Sequence, residues 1–145
     1  PDDADVAKVR DAIYDPFEYL MIRHRHDLLK TDFKNPLGKI AYHVACHLRV
    51  QNIGMKTRDL LQLVPDTEVA PIERCSGHDG TYAVKSEYHE TSMKICRPVI
   101  NNVKKSNAAH YSSDCPMAGH QIENGLEDGK APEHPLTLLR MAYGL

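Results

Sequence analysis

Lys39-Ile40-Ala41-Tyr42-His43-Val44 alternates in the manner of a β-strand and runs directly into Ala45-Cys46-His47. The same arrangement recurs twice. The run Thr67–Arg74 leads into Cys75, and the run Ala108–Asp114 leads into Cys115. Each strand is followed by a helical pattern, so the expected fold is α/β: a small Rossmann-like parallel sheet flanked by helices. In such a sheet the carboxyl ends of the strands share one edge, where ligands bind. Three thiols from distant parts of the chain are therefore expected at one place.

The segment before the first strand reads as helical. Asp15-Pro16-Phe17-Glu18 is a helix start, with Asp as the cap, Pro in the first turn and Glu at the third position. Phe17, Leu20, Met21, His24 and Leu28 then share a face, with His24 expected as a packed residue, while Arg23, Arg25, His26 and Lys30 form a solvated face. Asp32–Gly38 holds Asn-Pro and Gly and reads as a linker. The chain thus divides into an N-terminal helical segment with linker, 1–38, and an α/β domain, 39–145.

Within that domain Thr57–Val64 is a short helix stopped by Pro65. Pro71 cannot donate to a ladder, which places its strand at an edge or interrupts it. Gly77 and Gly80 open a turn into a long helix striped by Tyr82, His89, Met93, Cys96, Ile100 and Val103, which Pro98 should kink or divide. The glycine pair could also cradle an anion if a helix starts there. Pro116 suits the first turn of the next helix, with Cys115 at its cap. A loop over Gly125–Glu133 and a closing helix over His134–Leu145, burying Leu136, Leu139 and Tyr143, complete the reading.

Composition narrows the function classes. At 145 residues the chain can bury one proper core. A formal net charge of −2 with interspersed signs lacks the basic footprint of a nucleic-acid binder. No apolar run reaches membrane-spanning length, and no signal-peptide pattern opens the chain. Four cysteines without an export signal imply reduced thiols and a cytoplasmic setting. The start at Pro1, followed by acidic residues, reads as a piece of something longer. Neither a G-x-G-x-x-G fingerprint nor a Walker motif follows any strand.

Cys96 belongs to the apolar helical stripe and reads as core. Cys46, Cys75 and Cys115 sit among polar and small neighbours and read as one shared site. Cys115 also heads a helix, where a thiolate is stabilised. No Cys-x-x-Cys pair exists, so any metal site is assembled by the fold. Among His43, His47, His78 and His120, the best candidate for a fourth ligand is His78, three residues past Cys75 in a glycine-flanked turn.

Three blocks resemble those of the cysteine-rich "CCG" domain. This domain occurs in the B subunit of heterodisulfide reductase, in the iron–sulfur subunits of glycolate and lactate oxidases, and in the C subunit of anaerobic glycerol-3-phosphate dehydrogenase. Tyr42-His43-Val44-Ala45-Cys46-His47-Leu48 looks like the opening Tyr-His-x-x-Cys-His-Leu block. Cys75-Ser76-Gly77 is similar to Cys-Cys-Gly with serine in the second place, and Cys115-Pro116-Met117-Ala118 to Cys-x-x-Cys with alanine in the last. The likeness runs from about Lys39 to Leu126. It implies an iron–sulfur (4Fe–4S type) or zinc site, an electron-transfer oxidoreductase, and as partners a redox protein or upstream domains of the same full-length chain. Two family cysteines are replaced, by Ser76 and Ala118, so three thiols need a further donor to complete a cubane, namely His78, Asp79, Ser76 or a non-protein species.

Three readings follow. The first is an iron–sulfur electron-transfer domain with Cys46, Cys75 and Cys115 as ligands and His78 or solvent completing the shell. The second is a structural zinc docking module of Cys3His type. The third is metal-free thiol or disulfide chemistry at Cys75 or Cys115 with His78 as base.

Overall fold

The computed structural model describes residues 3–80 and 82–145. Pro1, at the head of the N-terminal segment, lies outside them. Three parallel strands form the sheet, in the order β2-β1-β3, with β1 at Gly38–His43, β2 at Thr67–Ile72 and β3 at His110–Ser113. The α/β expectation holds. β1 is central because Ile40, Ala41, Tyr42 and His43 are all buried, as a strand covered on both faces requires.

Alternation along β1 divides the core. Ile40, Tyr42 and Val44 face one layer, made with α2 (Pro16–Arg25), α4 (Lys56–Leu61) and α7 (Pro135–Tyr143), which contribute Phe17, Leu60, Leu61, Leu138 and Ala142. Ala41, with Ile72 and Tyr111, faces the other, made with α5 (His89–Ser106) and α6 (Pro116–Leu126), where Cys96, Val99, Ile100 and Ile122 pack. α5 and α6 approach so closely that a Cβ on Gly125 would lie 2.1 Å from Ile100 Cδ1. A nine-residue helix, α1 (Ala4–Ala12), precedes α2 and buries none of its side chains.

The two sheet edges differ. On β2 the Ile72 carbonyl accepts from Val44 N–H at 3.1 Å, so its neighbour Pro71 turns its ring nitrogen outward. This bears out the edge position read from the proline. Along β3 the backbone N–H of Glu133 donates to the Tyr111 carbonyl at 3.1 Å, and Ser112 Oγ donates to the Glu133 carbonyl.

Several elements differ from the sequence reading. Cys46 begins α3 (Cys46–Val50), a five-residue helix absent from the sequence reading, with Leu48 in the core. α2 ends at Arg25, with Asp27 at φ 56°, so Leu28 leaves the apolar face and is exposed while Leu29 packs instead. Asp15 does cap α2, accepting from Phe17 and Glu18 N–H. Tyr82 precedes α5 and stacks on Tyr88 in a surface turn, with ring centroids 4.9 Å apart. Pro98 lies within α5 without dividing it. Gly125 is inside α6, not in the following loop. α7 buries Leu138, Leu139 and Ala142, which leaves Leu136 exposed and Tyr143 half-buried against Phe33. β2 and β3 are shorter than the runs read for them, whereas β1 keeps its length and is shifted by one residue. Among the described residues no helix is long and apolar enough to cross a membrane.

Candidate functional site

The three strands end level. His43, the last residue of β1, stands opposite Ile72 of β2 and Ser113 of β3. Cys46, Cys75 and Cys115 follow within three residues, so all three leave from the same edge of the sheet.

The His43 ring sits between the two outer strand ends. Its Nε2 lies 2.9 Å from the Arg74 carbonyl, which only accepts, so Nε2 carries the proton. Its Nδ1, 3.0 Å from Ser113 Oγ, therefore accepts from that hydroxyl. Ser113 Oγ in turn accepts from the backbone N–H of Cys115 at 3.3 Å. Burial lowers the His43 pKa, against the raising influence of the Arg74 carbonyl, so the ring is neutral at pH 7. His43 thus ties the residue before Cys75 to the residue at the head of α6. It is a positioning group, not a ligand.

The Cys75–His78 turn is fastened from beneath. Ser92 Oγ, fully buried on α5, donates to the Gly77 carbonyl at 2.6 Å and receives a hydrogen bond from the buried amide of Gln121 on α6. Gly77 has φ 75°, and a Cβ there would lie 2.3 Å from the Ser92 carbonyl oxygen. Only glycine fits this close approach. The Gly77 N–H points back to Cys75 Sγ at 3.4 Å.

This turn carries His78 to Cys115. His78 Nε2 is 3.5 Å from Cys115 Sγ, and its Nδ1 is 2.6 Å from the buried Ser76 hydroxyl. Burial lowers the His78 pKa, partly offset by Asp79. Cys115 caps α6 without a side-chain cap bond, which leaves its sulfur available. Cys46 and Cys75 are exposed, and Cys115 is half-buried. Cys96 is fully buried, as its stripe predicted, and burial, with a smaller contribution from the Cys75 charge, pushes its thiol up to about 11.

The donors are of the right chemistry for a soft metal, namely thiolate and imidazole at one edge. Their contacts are narrower than the sequence reading. Among the described residues no group of three or more His, Cys, Asp or Glu side chains is arranged to hold a metal ion. Cys115 and His78 meet, and Ser76 extends the pair. His120 instead bonds Glu123 at 2.8 Å on the surface. The glycine turn is not an anion cradle at a helix start, since α5 begins only at His89.

A second polar cluster lies behind Cys115. The Tyr42 hydroxyl and the Thr57 hydroxyl both donate to the Asp114 carboxylate, the latter at 2.7 Å. Burial raises the Asp114 pKa, and these two donors oppose the rise. Burial and the adjacent Asp114 charge hold the Tyr42 hydroxyl far above its usual range. Sequence reasoning named Ser76 only as a replaced family cysteine and possible further donor, and it left out Ser92, Ser113, Gln121 and this trio. The Tyr42-His43 dipeptide and the serine of Cys75-Ser76-Gly77 were the available signals.

Known proteins resemble this chain over part of its length. Over 105 residues the chain is 33% identical to the C subunit of the anaerobic glycerol-3-phosphate dehydrogenase of Escherichia coli K12, and equally to that of Escherichia coli O157:H7. The alignment takes in 72% of the chain and 26% of each relative, so the chain spans about a quarter of the length of the curated relatives it matches. No family model matches the chain.

Proposed function

We propose that this chain is a cysteine-rich domain of the CCG type, residues 39–145 behind a helical segment 1–38, from an electron-transfer oxidoreductase subunit. Cys46, Cys75 and Cys115 are the proposed thiolate ligands of an iron–sulfur cluster, with His78 as the further donor. The observation that carries the reading is the level ending of three adjacent parallel strands, each delivering one cysteine to the same edge. The likeness to the C subunit of a dehydrogenase supports it. When bound, such a cluster supplies one-electron transfer, tuned by burial and hydrogen bonds to sulfur.

The chain's own part is positional. His43 sets the spacing of the Cys75 and Cys115 segments, and Ser92 with Gln121 fixes the turn that presents His78. Ser76 orients the His78 ring. Closing a full shell requires the exposed Cys46 and Cys75 thiols to turn toward Cys115. The electron donor and acceptor are then other subunits or other domains of a longer protein.

The Cys115–His78–Ser76 chain favours a second reading, thiol chemistry without metal. Cys115 Sγ–H passes its proton to His78 Nε2 while Nδ1–H donates to Ser76. The thiolate attacks a disulfide sulfur, forming a mixed disulfide, and the expelled thiolate takes the proton back.

Anaerobic purification with assay of iron, acid-labile sulfide and zinc, beside an optical spectrum, separates the readings. Iron with sulfide, lost in Cys46→Ala, Cys75→Ala and Cys115→Ala but kept in Cys96→Ala, supports the cluster. Zinc at one per chain without sulfide indicates a structural Cys3His module. Metal-free protein after reconstitution, with rapid selective alkylation of Cys115, supports the thiol reading.

A further inference from the structure

The charges of this chain are unevenly distributed. It holds 20 acidic and 18 basic residues, yet no Asp or Glu falls between Glu90 and Asp114. That interval covers most of α5 and all of β3. On the outer side of α5 lies a groove of about 490 Å³ lined by Arg74, Lys94, Arg97, Asn101, Asn102 and Lys105, with Pro98 in its floor. All six side chains are in exposed positions. Lys94 pairs with Glu90 at 2.7 Å. Among the described residues Arg74, Arg97 and Lys105 have no ion-pair partner, and no carboxylate lines the groove.

The position of the groove gives it meaning. Arg74 stands immediately before Cys75, and its carbonyl is the one held by His43. The groove therefore begins at the thiol-bearing edge and runs along α5. From Lys94 to Lys105 the helix rises about 16 Å. A single phosphate engages donors within a few ångströms; cations spread over this length suit several carboxylates on an opposing surface.

We infer that the Arg74–α5 groove is a docking face for an acidic surface of a protein redox partner, placing that partner beside Cys75. This rests on the electron-transfer reading above. Such encounters use small interfaces and are steered by complementary charge, with strong dependence on ionic strength.

The test uses the 15N-labelled chain and a capped hexaglutamate peptide as probe, followed by NMR at low and at physiological ionic strength. Shifts concentrated at Arg74, Lys94, Arg97, Asn101 and Lys105 are expected. The doubly reversed variant Arg97→Glu/Lys105→Glu is expected to weaken binding by roughly tenfold or more, about 1.4 kcal/mol per tenfold. The control Lys8→Glu/Lys30→Glu makes the same change in net charge on the N-terminal segment and should leave binding unchanged. Equal weakening in the control, or shifts scattered over all cations, overturns the inference. Tighter binding of pyrophosphate than of the peptide also overturns it, in favour of a small-anion site. Iron and sulfide content report on the metal reading separately. Peptide binding retained without metal counts against the cluster alone, and metal retained without peptide binding counts against the docking face alone.

Discussion

Gly77→Ala tests how the site is held. Two costs arise at this position. An L side chain at φ 75° costs roughly 1–2 kcal/mol. The new Cβ would also stand 2.3 Å from the backbone oxygen of Ser92, and neither α5 nor the turn can yield by rotating a side chain. The turn must lift, which breaks the Ser92–Gly77 hydrogen bond and strands a buried carbonyl, at about 1–3 kcal/mol. The total is about 3 kcal/mol, a large part of a typical stability of about 5–15 kcal/mol. For a chain of this size it lowers Tm by about 10 °C. Gly80→Ala is the control: φ is 51°, but nothing lies within 4 Å, so only the strain of about 1 kcal/mol applies. Denaturant unfolding of both variants, with the alkylation rate of Cys75 as a local readout, gives the comparison. Gly77→Ala should lose about 2 kcal/mol more than Gly80→Ala and should change the Cys75 rate. Equal losses in the two variants would refute the claim that the turn is fastened to α5.

Tyr42→Phe removes a donor from half-buried Asp114 and should cost about 2 kcal/mol at pH 7. The cost should shrink as pH falls toward the raised Asp114 pKa, because the protonated carboxyl needs the donor less; unfolding curves across that range check it. His43 has a depressed folded pKa, so its contribution is complete above its unfolded value of about 6.5 and is lost as pH falls through the folded one. Stability should therefore drop below about pH 6.5, and the drop should be shallower in His43→Asn, as measured by Tm against pH. Cys96, buried and with its thiol pushed up to about 11, should resist iodoacetamide at pH 8 in the native protein while Cys46 and Cys75 react; peptide mapping after a short pulse checks this.

The sheet was legible because each strand ends in a polar, cysteine-bearing segment after an alternating run, and because Pro71 carries its own edge constraint. α3 was not legible. Ala45 offers no capping side chain, and five residues are too few to show a period; tertiary packing of Leu48 holds the helix in place. In α7 the stripe Leu136, Leu139, Tyr143 and the stripe Leu138, Leu139, Ala142 fit a helical period equally well, and only the surface offered by α4 and the 32–37 segment selects the second. Tyr82 matched the period of α5 but lies beyond the surface turn that precedes it. In the site, the shared edge was visible in spacing, since parallel strands convert equivalent positions into neighbours. The Cys115–His78 contact was not. It depends on a positive-φ turn fastened by Ser92 and Gln121, residues far from it in sequence and without any local signature.

The unequal edges of the sheet bear on what this domain can join. An exposed strand edge is a template on which other chains add strands, and aggregation often begins there. Pro71 withholds a donor from the outside of β2, and the Glu133 segment occupies the outside of β3. A partner therefore gains little by extending the sheet from the β3 flank, and on the β2 flank Pro71 removes one ladder bond. Growth of the sheet is thus blocked on one side and weakened on the other. In a larger assembly the β3 flank of this minimal sheet offers its backbone to no further strand.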